Sequence, residues 1–377
     1  MKISRSARLG GMALVGALAL AACGSDNNTG GSSTGSAGGS SSSSGAALSG
    51  SLNGEGSTAQ KNAIDEVVAT FSQANPNAKV SYNATGSGAG IKSFTGGQVD
   101  WAGSDSALKT DPGDGSAASE TDAAKKRCGG NDAWNLPLVA GPIAVAYNLQ
   151  GVDTVVLTPS LVAKIFQGTI TTWNDPAIKA VNSGVDLPDQ KITVFYRSDE
   201  SGTTENFEKY LAGAAPQDFT AKPSKKWAGT VGQGAAKSSG VAQGVKSTPG
   251  GIGYVEWSNA KDNNLGVAQI DNGGGAVELT AESAGKALEA AKPDGQGNDL
   301  RLKLDYATKQ AGVYPIVLVT YEIVCSKGTD AAKLPLVKGF LTYLAQAKTQ
   351  QDLAGIGYAQ VPDSVLQKAT TAINAIS

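Results

Sequence analysis

The sequence predicts an α/β protein of two domains, because strand and helix patterns alternate along it and its length exceeds that of one typical domain. Residues 79–83 alternate as a strand does, whereas Ile64, Val67 and Phe71 recur at the spacing of one helix face. Strands that alternate with helices in this way pair mainly in parallel. No segment after the N-terminal region is apolar and long enough to span a bilayer.

The first 22 residues have the pattern of a secretory signal peptide. Lys2, Arg5 and Arg8 precede an apolar run, residues 12–22, that is too short for a transmembrane helix. Residues 20–23 read Leu-Ala-Ala-Cys and resemble the bacterial lipobox, which implies cleavage before Cys23 and its lipidation. The alternative is an ordinary signal peptide with an incidental cysteine.

Residues 23–47 follow as a lipidated cysteine and a linker composed almost entirely of Gly, Ser, Ala, Thr and Asn. Such a composition cannot build a core and is typical of a flexible tether. The expected location is therefore extracytoplasmic, on the outer face of the bacterial cytoplasmic membrane, with the lipid as anchor.

Charge and histidine content exclude several functions. The whole chain carries −2, and loss of the three basic signal residues leaves −5 (−2 − 3), which argues against a nucleic-acid partner. There is no histidine, so a Ser-His-Asp triad and a histidine-ligated metal are excluded. We expect no metal and no cofactor, and any anion must be held by local dipoles and hydrogen bonds.

Two cysteines, Cys128 and Cys325, remain after Cys23. Two leftover cysteines in an exported protein usually pair, which predicts a disulfide between them. The alternative is two free thiols. Cys128 falls in a polar stretch, residues 109–133, that is predicted to be a surface loop.

Two long apolar strands, residues 136–148 and 314–324, bracket the middle third of the chain. If both cross between domains, residues 48–145 and 314–377 form one lobe and residues 146–313 form the other. The alternative is a single large sheet. Periodicity alone does not separate these two arrangements.

Residues 192–203 hold the most informative motif of the chain. A strand, residues 192–196, ends at Arg197 and is followed by the turn Ser198-Asp199-Glu200-Ser201-Gly202-Thr203 and a helix from Thr204. A strand that enters a helix N-terminus through Ser-Gly-Thr can bind an anion with its N–H groups. The other interpretation is an ordinary N-cap.

Three loops share this design of strand, Gly/Ser/Thr turn and helix: Gly56-Ser57-Thr58, Gly86-Ser87-Gly88 and Ser201-Gly202-Thr203. Ligands of open α/β sheets bind beyond the carboxyl ends of the strands, where such loops meet. Arg197 adds a planar guanidinium that suits an oxyanion. None of the three loops has the nucleotide P-loop pattern.

Asp105, at the end of another predicted strand, is unexpected in an anion site because its carboxylate repels an anion. It favours binding only if the anion carries a proton to donate. Phosphate does so at neutral pH and sulfate does not, so this residue would select phosphate over sulfate. The alternative is a surface aspartate in a turn.

The chain resembles the phosphate-binding protein of the bacterial ABC-type phosphate-specific transport (Pst) system over about residues 50–377. Four segments match its binding segments in order: Gly54-Glu55-Gly56-Ser57-Thr58, Gly86-Ser87-Gly88-Ala89-Gly90, Asp100-Trp101-Ala102-Gly103-Ser104-Asp105, and residues 197–203. Residues 165–168 with 172–174, and residues 251–255, match its framework. The resemblance implies a type II periplasmic-binding-protein fold, in which two α/β lobes are joined by a two-segment hinge around a ligand cleft. It also implies a monomer that binds inorganic phosphate, HPO4²⁻ or H2PO4⁻, and delivers it to membrane permease subunits.

The resemblance assigns roles to individual residues. The hydroxyl groups that donate to the ligand would be those of Thr58, Ser87, Ser201 and Thr203, and the backbone N–H donors would be those of Ala59, Ser87 and Gly202. Arg197 would be the cation that contacts the ligand, and Asp105 would accept its proton. Asp199 would orient Arg197. Two residues depart from the family pattern. Ala59 replaces a usual aromatic residue, which would reduce cover over the ligand, and Glu200 adds a charge that must point to solvent.

Three other functions stay open at this stage. An exported phosphatase or phosphoryl-transfer enzyme could use Ser57 or Ser201 as nucleophile, although no histidine is present to activate either. A sulfate or molybdate carrier would use the same donors without selectivity. A surface adhesin or antigen would merely keep the fold.

Overall fold

The structure is a computed structural model and describes residues 47–112 and 118–377. The predicted signal peptide, Cys23 and all of the linker except Ala47 lie outside the described residues. The helices are α1 Lys61–Ala74, α2 Ser87–Thr95, α3 Glu120–Arg127, α4 Pro159–Phe166, α5 Pro176–Val181, α6 Gly202–Ala214, α7 Lys237–Ser247, α8 Trp257–Asp262, α9 Ala281–Glu289, α10 Leu334–Leu344, α11 Ala347–Gly355 and α12 Asp363–Ala375. None of these helices is both long and apolar enough to cross a membrane.

The strands are β1 Gly50–Gly56, β2 Ala78–Ala84, β3 Trp101–Ser104, β4 Ala133–Tyr147, β5 Val156–Leu157, β6 Thr193–Arg197, β7 Gln233–Ala235, β8 Gly251–Glu256, β9 Gly266–Val267, β10 Gln269–Asp271, β11 Ala276–Val277, β12 Lys292–Pro293, β13 Leu302–Lys303 and β14 Val317–Cys325. In the described part of the chain, nine of them form one sheet in the order β2-β1-β3-β14-β4-β8-β6-β7, with β9 paired to β4. β5, β10 and β11 form a small separate sheet, and β12 pairs with β13.

Pairing in the main sheet is parallel at both ends and antiparallel in the middle. β1 pairs in parallel with β2 and β3, and β6 pairs in parallel with β7 and β8. The long strands β4 and β14 run antiparallel to each other and to their outer neighbours β8 and β3. The expectation of mainly parallel pairing is therefore wrong at the centre, because the two crossing strands run in opposite directions.

The apolar side chains of the described residues form two separate clusters. The first contains Phe94, Trp101 and Phe340, and the second contains Trp173 and Phe207. We call these the first and second cores.

The two long strands contribute to both cores. On β4, Leu138 belongs to the first core and Val145 to the second; on β14, Val319 belongs to the first and Leu318 to the second. β4 also changes partner at this point, since its residues up to 142 pair with β14 whereas residues 143–147 pair with β8. Hydrogen bonding is thus continuous through β4 while the apolar packing is divided.

The predicted surface loop, residues 109–133, contains a helix that the sequence analysis missed. Ser119 caps α3 by accepting from the N–H of Asp122, whose carboxylate in turn accepts from the backbone of Ser119. The helix is capped by the next residue, Cys128, which is buried and forms a disulfide with Cys325 at the end of β14, with 5.4 Å between their Cα atoms. The loop prediction was wrong here because a capped helix needs few apolar residues when a covalent bond holds its end.

Candidate functional site

The polar loops that the sequence singled out lie at the carboxyl ends of their strands. Because β1, β2 and β3 are parallel neighbours, Ser57, Gly86 and Asp105, which follow them, lie along one edge of the sheet. On the other side, β6 ends at Arg197 and α6 begins at Gly202. Side-chain contacts join these two groups of loops into one buried site.

Asp105 is the carboxylate of this site and is only 3% exposed. Its Oδ1 accepts from Ser57 Oγ at 2.5 Å and from Thr320 Oγ1 at 2.9 Å, and its Oδ2 accepts from Thr203 Oγ1 at 3.1 Å. Burial raises the pKa of Asp105, whereas these three hydroxyls and the charge of Arg197 oppose the rise. The hydroxyls therefore stabilise the ionised form of a buried acid.

The backbone of Asp105 is held as well. Its N–H donates to Ser87 Oγ at 3.1 Å, and its carbonyl accepts from Asn206 Nδ2 at 2.7 Å. Asn206 also donates to the carbonyl of Gly202 at 2.8 Å and accepts from the hydroxyl of Tyr306. One asparagine therefore connects the loop of Asp105 to the first turn of α6.

Arg197 is the cation of the site and is 2% exposed. Its Nε and Nη2 donate to the two oxygens of Asp199 at 2.7 and 2.5 Å, and its Nη1 donates to Ser238 Oγ at 3.3 Å. Its backbone N–H donates to the hydroxyl of Tyr254 at 3.1 Å. Burial would raise the pKa of Asp199, but the hydrogen bonds and charge of Arg197 hold it below its usual value.

Contacts between the two groups of loops close the site. Thr58 Oγ1 and Ser238 Oγ lie 2.9 Å apart, and the N–H of Ser238 donates to Thr58 Oγ1 at 3.1 Å. Gly202 lies so near Ser87 and Asp105 that an added Cβ would stand 2.6 Å from Ser87 Oγ and 2.6 Å from Asp105 Cβ. Any side chain at Gly202 would therefore force the loops apart.

Gly86 is another position of the site that requires glycine. Its φ is +105°, and a Cβ there would lie 2.7 Å from Asp199 Oδ2. Gly88, two residues further on, donates its N–H to the carbonyl of Glu200 at 3.0 Å. The start of α2 thus packs, through backbone contacts, against residues 197–201, which we call the Arg197 loop.

Ser201 carries out the N-cap role that was the alternative interpretation of its motif. Its Oγ accepts from the N–H of Thr204 at 3.2 Å, while its own N–H donates to the carbonyl of Lys225 at 2.8 Å. Capping does not exclude ligand contact, because the N–H groups of Gly202 and Thr203 in the first turn have no intrahelical acceptor. The same holds for Ser87 at the start of α2.

Ala59 and Glu200, the two departures from the family pattern, are both accommodated. Ala59 is fully buried in the second core. Its N–H donates to Ser57 Oγ at 3.1 Å, and its carbonyl accepts from the hydroxyl of Tyr358 at 2.7 Å. Glu200 is paired with Lys92 at 2.6 Å and with Lys226 at 3.5 Å, and its side chain is 30% exposed. The extra acidic charge is thus compensated at the surface.

Four functional neighbours were not named as site residues from the sequence: Ser57 as a partner of Asp105, and Ser238, Thr320 and Asn206. Ser238 lies in the first turn of α7, which follows strand β7 after Ala236, so this strand-to-helix connection with its Ser-Ser-Gly sequence could have been recognised. Thr320 lies in the fully buried strand β14, where a polar side chain requires a partner. Asn206 carries no local signal, because its partners lie in other segments.

The assembled site offers hydroxyls, helix N-termini and the guanidinium of Arg197 around the carboxylate of Asp105, while the carboxylate of Asp199 is paired with Arg197. In residues 47–112 and 118–377, no group of three His, Cys, Asp or Glu side chains could hold a metal ion. The donor set is that of an oxyanion site, since N–H and O–H dipoles bind negative charge without a cluster of cations.

Comparison with known proteins identifies the family. A PBP superfamily domain profile matches residues 41–348. The phosphate-binding protein PstS 3 of Mycobacterium tuberculosis is 44% identical over 383 residues, covering 100% of both chains. The chain belongs to the phosphate-binding protein family. The resemblance predicted from the motifs is thereby confirmed.

Solved structures of this family have the same fold. The high affinity periplasmic phosphate-binding protein PfluDING, solved with phosphate bound, matches with a TM-score of 0.67 and 22% identity over 85% of this chain and 93% of that one. A phosphate-binding protein from Stenotrophomonas maltophilia matches with a TM-score of 0.64 and 20% identity, over 86% and 94% of the two chains. The predicted α/β periplasmic-binding-protein fold is confirmed. The names of these relatives are those of binding proteins.

Proposed function

We propose that this protein binds inorganic phosphate, as HPO4²⁻ or H2PO4⁻, outside the cytoplasm and delivers it to the permease subunits of an ABC importer. The observation that carries the proposal is the burial of Arg197 and Asp105 in one site of hydroxyls and helix N-termini. Family membership supports the same ligand, because the relatives are named for binding phosphate.

The ligand would replace contacts that the site now makes with itself. The hydroxyls of Thr58, Ser87, Ser201 and Thr203 and the N–H groups of Ala59, Ser87 and Gly202 would donate to phosphate oxygens, with Arg197 as the cation. Thr58 and Thr203 now pair with Ser238 and Asp105, so their hydroxyls would rotate towards the anion. Such rotations have low barriers compared with backbone movement.

Asp105 would supply the selectivity. With Oδ1 accepting two hydroxyls and Oδ2 accepting one, Oδ2 has room to accept the O–H of a protonated phosphate. Sulfate carries no such proton at neutral pH, so its oxygen would face a carboxylate oxygen inside a buried site. A buried mismatch of this kind costs about 1–3 kcal/mol or more, which favours phosphate.

Binding would proceed by closure of two lobes, residues 48–145 with 314–377 and residues 146–313, about the segments near 143 and 316. The separate first and second cores support this division, and so does the bond from the N–H of Ile143 to the carbonyl of Ile316 at 2.8 Å between the two crossing segments. In the second range, Ala284 and Leu288 of α9 pack with the first core. We therefore assign α9 to the packing of the first lobe.

The chain would act as a monomer, tethered to the outer face of the membrane through lipidated Cys23 and the linker that follows it. Docking of the closed form on the permease and separation of the lobes would then release phosphate. We propose binding and not catalysis, because the chain has no histidine that could activate Ser57 or Ser201 as a nucleophile.

Calorimetry of the purified protein with phosphate, arsenate and sulfate tests this function. We expect saturable heat with phosphate and arsenate, which are both protonated near pH 7, and little with sulfate. No heat with phosphate, or competition by sulfate as strong as by phosphate, would contradict the proposal. Hydrolysis of a chromogenic phosphate ester by the same sample would instead support an enzyme.

A further inference from the structure

Thr320 is a polar residue in the middle of a fully buried strand. All nine residues of β14 are buried, and Thr320 has 0% exposure. Its Oγ1 donates to Asp105 Oδ1 at 2.9 Å across 215 positions of sequence. A crossing strand shared by both cores is thereby tied directly to the carboxylate of the site.

The sheet is irregular at this residue. The register of β14 against β4 shifts between Thr320 and Tyr321: Thr320 faces Val139, but Tyr321 faces Pro137. β4 therefore has one extra residue, Leu138, at a bulge. Bulges redirect side chains and occur often next to functional sites, and this one lies where β14 presents its hydroxyl to Asp105.

The contacts of Asp105 differ between its two oxygens. Among residues 47–112 and 118–377, Oδ1 accepts from the side chains of both Ser57 and Thr320, whereas Oδ2 accepts from that of Thr203 alone. Thr203 is itself assigned to the ligand, so its hydroxyl leaves Oδ2 when the ligand arrives. Ser57 and Thr320 then remain as the side-chain donors that hold the carboxylate.

On the basis of the proposed function, we propose that Thr320, together with Ser57, is a positioning residue for anion selectivity. The two hydroxyls occupy Oδ1, keep the carboxylate ionised, and leave Oδ2 as the acceptor for the proton of the ligand. Neither residue needs to touch the ligand. Their effect on selectivity passes entirely through Asp105.

Loss of the Thr320 hydroxyl has a predictable sign. A buried carboxylate with one fewer donor has a higher pKa, since its charged form is less well stabilised. A protonated Asp105 becomes a donor, which suits an unprotonated sulfate oxygen but no longer accepts the proton of phosphate. Phosphate binding therefore weakens, sulfate competition strengthens, and both changes grow as the pH falls.

Other ionisable groups near Asp105 do not imitate this response. Those that interact with it electrostatically come from five segments: Arg197 at the end of β6, Glu256 at the end of β8, Glu322 on β14, Tyr82 on β2 and Tyr358 before α12. Burial raises the pKa of Glu256 to about 8 and holds the pKa of Glu322 well above its ordinary value, and both tyrosines also have raised pKa values. In all four of these groups, burial favours the protonated, uncharged form.

The test compares Thr320→Val, which keeps the shape and removes the hydroxyl, with Thr320→Ser, which keeps the hydroxyl. Calorimetry measures phosphate affinity and sulfate competition from pH 5 to 7. We expect T320V to bind phosphate about tenfold more weakly at pH 7, with more sulfate competition, and T320S to stay near wild type. Because phosphate itself titrates in this range, the affinity ratio of variant to wild type at each pH isolates the contribution of the protein.

Two further variants complete the design. Thr349→Val replaces a buried threonine of α11 and controls for the general effect of this substitution. Ser57→Ala removes the other donor to Oδ1 and should shift selectivity in the same direction, so the proposal stays testable if T320V does not fold. Circular dichroism and thermal unfolding verify the fold of every variant.

Several outcomes would overturn the inference. The first is a T320V protein with wild-type phosphate affinity, unchanged sulfate competition and an affinity ratio to wild type that does not vary with pH. The second is an equal loss of phosphate affinity in T320S and T320V. The third, if T320V is unfolded, is an S57A protein with wild-type affinity and selectivity. In each of these cases wild-type phosphate binding would still stand. Failure of the wild-type protein to bind phosphate would instead remove the proposed function itself.

Discussion

Arg197 and Asp199 form two parallel hydrogen bonds, from Nε to Oδ1 at 2.7 Å and from Nη2 to Oδ2 at 2.5 Å. The guanidinium is almost fully buried, whereas the Asp199 side chain is one-fifth exposed. Asp199 also accepts the N–H of Lys237 at the start of α7. The carboxylate therefore fixes the plane of the guanidinium and leaves Nη1 for Ser238 and, in the proposed function, for phosphate.

The planar fork of Arg197 predicts that charge alone will not support binding. Arg197→Lys keeps the charge but cannot bond both oxygens of Asp199, so we expect phosphate affinity to fall about 10- to 100-fold. Arg197→Met should lose more. Calorimetry measures both, and Arg301→Lys, which alters a similar pair with Asp299 outside the site, is the matched control. Wild-type affinity in R197K would contradict this role.

Asp105→Asn tests the acceptor directly. The amide of asparagine donates where the carboxylate only accepts, so phosphate should bind more weakly and sulfate more strongly, and the phosphate-to-sulfate affinity ratio should fall by about tenfold or more. Competition calorimetry measures that ratio. Asp100→Asn, which changes a carboxylate bonded to Lys333 outside the site, should leave it unaltered. An unchanged ratio in D105N would show that selectivity arises elsewhere.

A largely buried ion pair lies at the edge of the site, and we expect ligand release to be slower in the wild type than in a variant that lacks the pair. Lys225 is 7% exposed and lies 2.6 Å from Glu120 of α3, while its carbonyl accepts from the N–H of Ser201. Lys225→Met should speed phosphate release and weaken affinity about three- to tenfold, since the pair joins the Arg197 loop to α3. Stopped-flow fluorescence measures the release rate.

The Lys225 prediction has two internal checks. Adding Glu120→Gln to K225M should produce little further change, because the pair is already broken. Lys164→Met, which removes the 3.8 Å pair with Asp218, should not alter release. Fully additive effects of the two substitutions would show that the ion pair does not act as a unit.

The buried carboxyl group of Glu256 should lower the free energy of unfolding as the pH rises. Burial raises the pKa of Glu256 to about 8, despite hydrogen bonds from Ser258 and Asn259. The folded state therefore favours the protonated acid: this stabilisation is complete below the unfolded pKa, near 4.5, and is lost as pH rises through 8. Between pH 6 and 9 the loss should be on the order of 2 kcal/mol.

Urea unfolding of the ligand-free protein at pH 6 and 9 measures this effect. Glu256→Gln mimics the neutral acid, so its free energy of unfolding should decline less than that of the wild type over the same range. Glu289→Gln, at an exposed end of α9, is the control. Equal declines in E256Q and wild type would assign the alkaline loss to other groups.

Much of the site could be predicted because its elements are local. A Gly/Ser/Thr turn between a strand and a helix predicts free N–H groups from a few adjacent residues, as at Ser87 and Gly202. The disulfide could be predicted because few cysteines were available to pair. The helix α3 could not, since its stability depends on a cap and on a bond to Cys325, which lies 197 residues away.

The sequence by itself determined the alternation of strands and helices, the loops that carry hydroxyls, and the presence of one arginine and one aspartate among them. Only the tertiary structure decided which groups meet: Ser238 with Thr58, and Thr320 with Asp105, 180 and 215 positions apart. The physical reason is that propensity and capping act within a few residues. The partner of a buried hydroxyl is set instead by how distant strands cross and where their register shifts.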